Sequence, residues 1–112
     1  MRVVETVIYR KALELVEVGH AVIRQLPTGC GFLADQLRRA TASVVLNFGE
    51  GYAKPSAAEQ RRFFAIALGS AQESLAIFDV ARALDAITIT AHTRGTDLAD
   101  HLCRMLWKFR RP

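Results

Sequence analysis

The stretch that decides the fold is residues 54–84, KPSAAEQRRFFAIALGSAQESLAIFDVARAL. Lys54-Pro55 is followed by Ser56-Ala57-Ala58-Glu59, which matches the Ser-x-x-Glu capping box found at the start of many α-helices. Apolar residues then recur at spacings of three and four up to Leu84, which predicts one long helix with Ser56 as its N-cap. Its residues Phe63, Ile66, Ser70, Glu73, Ile77 and Leu84 are expected to share a face, opposite Arg61, Gln72 and Asp79.

Turn-forming residues at 26–31, 49–55 and 85–90 divide the chain into four such segments. The first helix is predicted from about Val4 to Gln25, and the second from near Gly31 to Gly49–Gly51, with Gly51 as its terminator. The fourth begins near Thr88 or Thr90, and Gly95 should weaken its first turns by about 1 kcal/mol relative to alanine. The predicted core stripes of these helices are Val4, Val7, Ile8, Leu15, Val18 and Val22; Leu33, Leu37, Ala40, Val44 and Phe48; and Leu98, Leu102, Met105, Leu106 and Phe109.

The fold class that follows is all-α. No strict alternation persists long enough for a strand, and 112 residues suffice for one domain, 1–112. Because the connections are short, sequential helices should pack antiparallel, as an up-down four-helix bundle.

The first helix also carries a second apolar flank, made of Tyr9, Leu13, Val16 and Ile23. A four-helix bundle covers one side of each helix, so a second covered side predicts contact between subunits and a homo-oligomer. A broad helix–helix contact within one monomer is the alternative.

Polar residues form a predicted ladder between the second and third helices. Its members are Gln36, Arg39, Ser43, Asn47 and Glu50 on the second helix, and Glu59, Arg62, Ser70 and Glu73 on the third. Placing Glu50 opposite Glu59 sets Ser43 beside Ile66, Arg39 beside Ser70 and Gln36 beside Glu73, with Arg39 able to reach Glu73. Such groups persist at a helix seam as a network that sets register or subunit contacts, or as a binding surface.

The composition of the chain indicates its general class of protein. Half of the residues are hydrophobic (51%) and 23% are charged, which indicates a packed globular protein. Neither a signal peptide nor a bilayer-spanning run is expected, so the predicted location is cytoplasmic, without membrane contact.

Cys30 and Cys103 are predicted to be reduced thiols. The sequence contains no phosphate-binding loop and no nucleophile elbow, and His20, His92 and His101 have no partners at metal-ligand spacing. We therefore predict neither an enzyme nor a cofactor.

The net charge of +4 permits attraction to phosphate. The candidate nucleic-acid-binding residues are Arg94, Arg104, Lys108, Arg110 and Arg111 on the fourth helix and tail, joined by Arg38. The alternative is a solvated last turn whose cations favour the helix dipole. Trp107 is predicted to fill a subunit interface rather than to stack on a base.

Three segments carry a family resemblance: LRRATAS at 37–43, NFGEGY at 47–52 and FFAIALGSAQE at 63–73. Together they resemble the four-helix bundle proteins encoded in intervening sequences of bacterial large-subunit ribosomal RNA genes. The accessory variability proteins of diversity-generating retroelements are related to these. Positions that match the family's motifs are Arg38, Arg39, Asn47, Glu50, Ser70 and Glu73, whereas Val45 stands where many members have proline.

The resemblance implies an up-down bundle, a homopentameric ring, and nucleic-acid binding in the retroelement branch, without enzymatic activity. The first functional hypothesis is therefore an oligomeric adaptor that binds structured RNA or DNA, or a reverse transcriptase-like protein, through basic outer surfaces. The second is a structural scaffold that recruits protein partners and has no nucleic-acid role.

Overall fold

A computed structural model describes residues 2–110, with the exception of the Arg110 side chain. Within this range the chain forms four α-helices and no strand, which confirms the all-α prediction. The helices are α1 (Val7–Gln25), α2 (Gly31–Ala53), α3 (Ala57–Ala83) and α4 (Ile89–Arg110), and a short 3₁₀ turn, Val3–Glu5, precedes them.

Side-chain caps set the starts of three helices. The Thr6 hydroxyl accepts a hydrogen bond from the Tyr9 N–H at 3.1 Å, so α1 begins at Val7 rather than at Val4. Ser56 caps α3 in the same way, accepting from the Glu59 N–H at 3.1 Å, as predicted. Thr88 accepts from the Ala91 N–H at 3.1 Å at the start of α4. Each cap satisfies one of the N–H groups that lack a partner in the first turn.

The end of α2 differs from the prediction because Gly51 does not terminate it. The helix continues to Ala53 and stops at Lys54, whose extended backbone (φ −74°, ψ 139°) is the conformation favoured before a proline. A Cβ atom at Gly51 would lie 2.8 Å from the Phe64 ring and 2.9 Å from the Cβ of Phe63. Glycine at this position therefore lets α2 and α3 approach closely.

A single buried cluster joins all four helices. Helices α1 and α3 each contact both α2 and α4. The predicted α2 stripe is fully confirmed, whereas Val4 and Val7 of the predicted α1 stripe are exposed. On α4, Leu102 and Leu106 are buried, and Leu98 and Met105 pack against the core as partly buried residues.

The face of α3 that the spacing favoured lies only partly in the core. Phe64, Ala67, Ala71 and Phe78 fill the core. Of the predicted face, Ser70 and Ile77 are buried and Phe63 is half-buried, whereas Ile66, Glu73 and Leu84 are exposed. Because α3 is apolar on several sides, periodicity alone did not identify the centre of its inner face.

Aromatic rings close one end of the core. Phe48 of α2, Phe64 of α3 and Phe109 of α4 contact one another with ring centroids 5.0–5.4 Å apart. Phe109 thus packs against the core through its ring although part of its side chain remains exposed. The contacts tie the last turn of α4 to the neighbouring helices.

Gly95 is required by packing rather than being a weakness of α4. A Cβ atom there would lie 2.8 Å from three atoms of the Phe78 ring, and Phe78 is fully buried. Cβ atoms do not occur that close to a ring, so only glycine lets α4 lie at this distance from α3.

The second flank of α1 is covered largely by its own chain. Tyr9, Val16 and Ile23 are half-buried and pack against the core, and only Leu13 is exposed. The broad contact within one monomer therefore accounts for most of this flank without a second subunit. Any support for assembly must come from another surface.

Candidate interaction surfaces

The seam between α2 and α3 contains a small hydrogen-bonded polar cluster. The hydroxyls of Ser43 and Ser70 lie 2.7 Å apart, and the Asn47 side-chain amide donates to the Ser43 hydroxyl at 2.9 Å. The buried Ser74 hydroxyl donates to the Ser70 carbonyl at 2.9 Å. These groups satisfy one another, as buried polar groups must, and they fix the register of the two helices.

That register differs from the predicted one by about one helical turn. Ser43 meets Ser70 instead of Ile66. The predicted reach of Arg39 to Glu73 is confirmed, with the two charged groups 4.0 Å apart. Helix α2 continues past Gly51 to Ala53, and the partners of Ser43 and Arg39 lie three or four positions later in α3 than the predicted register places them.

The charged members of the ladder point outward. The Arg39 guanidinium and the Glu73 carboxylate approach to 4.0 Å, with 73% and 47% of their side chains exposed. Glu50 pairs with Lys54 at 3.4 Å on its own helix. Such exposed pairs contribute about 0–1 kcal/mol, so these charges remain available to a partner.

The other ladder residues lie apart from the cluster. Glu59 accepts a hydrogen bond from the Ser56 hydroxyl at 3.2 Å at the start of α3, and the Arg62 guanidinium lies 5.2 Å from the centre of the Phe63 ring. Gln36 is exposed on α2. Of the nine predicted members, only Ser43, Asn47 and Ser70 form a connected hydrogen-bonded group.

The predicted basic patch does not form one surface. Arg38 lies on α2, which packs against α1 and α3 and so lies diagonally across the bundle from α4. It pairs with Asp35 at 3.2 Å. Arg94 and Arg104 are ten residues apart on α4, which separates them by about 15 Å along the helix.

Arg104 and Lys108 lie on the same groove near the end of α4. Arg104 pairs with Asp100 at 3.4 Å, and both side chains are more than half exposed. No carboxylate follows Asp100 in the sequence, whereas Arg104, Lys108 and Arg110 do. The Arg110 side chain and Arg111 lie outside the described structure.

An open groove of about 600 Å³ runs between α3 and α4 beside these cations. Its walls include Leu68, Met105 and the half-exposed Trp107, and its rim carries Arg104 and Lys108. As the sequence indicated, Trp107 lies outside the core of its own chain.

Cys103 also lines the groove. Burial, followed by the negative charge of Asp100, raises the pKa of its thiol to about 11. At neutral pH the thiol is therefore protonated, which makes it a poor nucleophile and a poor metal ligand. No group of three or more histidine, cysteine or acidic residues within the described range could hold a metal ion.

A second surface is apolar and faces away from the core. We name it the α2–α3 outer face; it comprises Phe32, Arg39, Leu46 and Glu50 on α2, and Ala58, Arg62, Ala65, Ile66, Gly69, Glu73, Ala76, Val80, Ala83 and Leu84 on α3. Leu46 is its most exposed large apolar residue, at 70%. Sequence analysis missed this surface because it grouped Ile66, Glu73 and Leu84 with Ser70 and Ile77, which are buried.

Within the described residues, helix α3 is long and apolar enough to cross a membrane by length and composition, contrary to expectation, and the core helix of a soluble protein meets the same criterion. Only 44% of its most apolar 18-residue window is buried within the chain.

A histidine–carboxylate contact also escaped sequence analysis. The His92 Nε2 atom of α4 lies 2.7 Å from the Asp79 carboxylate of α3. The two residues are thirteen positions apart on different helices, so no local spacing signals the contact.

The helices, their single core and these surfaces define a small four-helix bundle protein. The model of the 23S rRNA-intervening sequence protein family matches residues 5–108, and the chain belongs to that family.

A crystal structure of a protein of unknown function from the S23 ribosomal protein family of Bacteroides thetaiotaomicron is similar, with a TM-score of 0.87. It shares 18% sequence identity, and the match covers 95% of this chain and 100% of that one. At this identity the likeness shows the fold alone. No curated protein matches the sequence.

Proposed function

We propose that this protein is a non-enzymatic cytoplasmic adaptor that assembles into a homo-oligomer and binds structured nucleic acid through the basic end of α4. Five subunits is the number that the family resemblance implies. The observation that carries the nucleic-acid role is the stretch after Asp100, where Arg104, Lys108 and Arg110 follow without an intervening carboxylate.

The proposal takes the bundle to be one domain with sequential helices antiparallel. Three cross-helix contacts between α2 and α3 support this layout: Ser43 with Ser70, Arg39 with Glu73, and Phe48 with Phe64. From one pair to the next, the residue of α2 lies later in the sequence while its partner in α3 lies earlier. The basic end of α4 then lies at the same end of the bundle as the start of α3.

Assembly matters because one copy carries few cations. A subunit that neutralises two or three phosphates binds weakly at physiological salt, and release of counterions makes that binding strongly dependent on salt. In a ring of identical subunits the basic ends repeat around the axis, and linked sites raise the overall affinity without any new contact. The groove between α3 and α4 adds Trp107, which offers a flat ring beside the cations.

The test is fluorescence anisotropy of a labelled RNA hairpin, a DNA duplex and an RNA–DNA hybrid across a salt series. We expect binding of all three, with affinity falling steeply as salt rises. Replacing Arg104 and Lys108 by alanine should weaken binding and reduce the salt slope by about 2 for each contacting subunit.

The matched control removes two exposed cations from α1, Arg10 and Arg24, by the same substitution. This variant has the same net charge as the α4 variant, so it isolates position from overall charge. Equal losses in both variants would show that α4 is not the binding surface. Absence of binding at low salt would overturn the nucleic-acid role.

The groove also supports the scaffold as a second candidate. Leu68, Met105 and Trp107 form an apolar wall suited to the apolar face of a partner helix. Co-purification of a protein partner with nucleic acid absent, abolished by Trp107→Ala, would favour this function over the first.

A further inference from the structure

We propose that the groove between α3 and α4 holds an unpaired nucleotide of a bound strand, with its base stacked on Trp107 and its phosphates at Arg104 and Lys108. This inference rests on the proposed nucleic-acid role and names the part of the nucleic acid that the groove recognises. Hairpin loops and single-stranded ends supply such nucleotides in an otherwise structured RNA or DNA.

The first support is the size and the apolar wall of the groove. Its volume of about 600 Å³ lies within the range of about 300–1,000 Å³ that is typical of ligand sites. Leu68 of α3 and Trp107 of α4 belong to this wall, and Trp107 is 47% exposed. A base that stacks on an indole ring covers apolar surface on both partners, so the wall suits a flat aromatic ligand.

The second support is the charge of the groove. Among the described residues, those that line it include two permanent cations, Arg104 and Lys108, and no aspartate or glutamate. The pKa of Cys103, which burial raises to about 11, keeps this thiol neutral, so it adds no negative charge. The pair between Arg104 and Asp100 is exposed, so a phosphate can compete with the carboxylate. Charge complementarity therefore favours an anion over an apolar helix in this groove.

The third support is the spacing of these side chains along α4. Arg104 and Lys108 are four residues apart, which places them on the same side of the helix and about 6 Å apart along its axis. Two neighbouring phosphates of one strand can therefore each meet a cation. Trp107 belongs to the same helical turn, and the exposed Gln72 of α3 also lines the groove. A side-chain amide both donates and accepts hydrogen bonds, so Gln72 suits the edge of any base.

Stacking on Trp107 requires a base whose face is accessible. Inside a duplex both faces of each base are covered by its neighbours, so the ring reaches only a base that is unpaired or at an end. The cations, by contrast, contact phosphates of paired and unpaired strands alike. The sequence favoured a subunit interface for Trp107. A nucleotide suits the position better, because a protein surface there would have to desolvate the two neighbouring cations.

The fluorescence of Trp107 tests this inference directly, because it is the only tryptophan of the chain. The wild-type protein is titrated with a short oligouridine, with an abasic oligomer of the same length and phosphate number, and with a fully paired duplex. We expect oligouridine alone to quench the fluorescence strongly. It should also bind about 10-fold more tightly than the abasic oligomer, because stacking of one base contributes about that factor.

Substitutions of Trp107 separate stacking from charge, with affinities measured by fluorescence anisotropy of labelled oligomers. Trp107→Ala should weaken binding of oligouridine by about 10-fold and leave the affinity for the abasic oligomer unchanged. Trp107→Phe keeps a flat ring and should retain most of the preference for oligouridine. Phe32→Ala is the matched control, because Phe32 is a similarly exposed aromatic residue (53%) that does not line the groove. It should change neither affinity.

Three results would overturn the unpaired-nucleotide site while leaving nucleic-acid binding by α4 standing. The first is equal affinity of the wild type for oligouridine and the abasic oligomer. The second is an equal loss of both affinities in the Trp107→Ala variant. The third is a uridine mononucleotide that binds as tightly as the oligomer, since the site would then not belong to a strand.

Two other results reach further. A wild type that binds none of the oligomers or the duplex at low salt would overturn this site and the proposed function together. Fluorescence that neither oligouridine nor acrylamide quenches would show that a second copy of the chain covers Trp107 in solution. That result would overturn the nucleotide site and support the subunit contact that the sequence favoured for this residue.

Discussion

Replacing Gly95 by alanine should destabilise the protein, although alanine is the better helix former. In an open helix this substitution stabilises by about 1 kcal/mol. Here the new methyl group would lie 2.8 Å from three atoms of the Phe78 ring, whereas ordinary contacts begin at 3.4 Å. The ring is fully buried between α3 and α4, so it has to move by about 0.6 Å or more together with its surroundings.

Overpacking of this kind costs about 1–3 kcal/mol, and three simultaneous overlaps place Gly95 toward the upper end. After the propensity gain is subtracted, the free energy of unfolding should fall by about 1–2 kcal/mol. For a chain of this length that lowers Tm by about 4–8 °C.

The assay is thermal unfolding followed by circular dichroism at one fixed protein concentration, since Tm of an assembling protein depends on concentration. Gly49→Ala is the matched control, because its Cβ would make an ordinary contact of 3.9 Å with Tyr9. It should raise Tm. Gly95→Ala should lower Tm less in a Phe78→Leu variant than in the wild type, because the ring that the new methyl group overlaps is then absent. Equal stabilisation by Gly95→Ala and Gly49→Ala would refute the close packing of α4 on α3.

Ser43→Ala should lower the free energy of unfolding by about 1 kcal/mol, because it leaves the Ser70 hydroxyl without its 2.7 Å partner. Urea denaturation measures this free energy, and an unchanged value would contradict a structural role for the cluster. Ser56→Ala removes the N-cap of α3 and should cost about 1 kcal/mol in the same assay, with Ser56→Asp as the variant that retains most of the stability. In a Cys30→Ser background, alkylation of Cys103 should accelerate up to about pH 11, since its thiol stays protonated below that value; a rate that levels off near pH 8 would contradict the raised pKa.

Features that depend on neighbouring residues were predictable. The capping box at Ser56 and Glu59 identified the start of α3 because both partners lie within one turn. The α2 stripe was assigned correctly since Leu33, Leu37, Ala40, Val44 and Phe48 recur at spacings of three and four. The Ser43, Asn47 and Ser70 cluster was anticipated as polar residues at a seam, although its register was not.

Features that depend on distance through space were not predictable in the same way. Gly51 and Gly95 were assigned to helix termination and helix weakness, because a single sequence does not reveal a ring from another helix at 2.8 Å. The His92–Asp79 contact and the diagonal separation of Arg38 from α4 depend on which helices are neighbours.

Local sequence alone determined the helical class, the four segments and most helix boundaries, since capping, turn chemistry and apolar spacing act within a few residues. Only the tertiary structure decided which face of α3 lies in the core and how far α2 is shifted along it. Both depend on the total packing of side chains from several helices, and a helix with apolar residues on several sides, such as α3, satisfies its local preferences equally well in more than one orientation. Which apolar residues stay exposed, such as Leu46 on the outer face, likewise follows only once the buried faces of the helices are known.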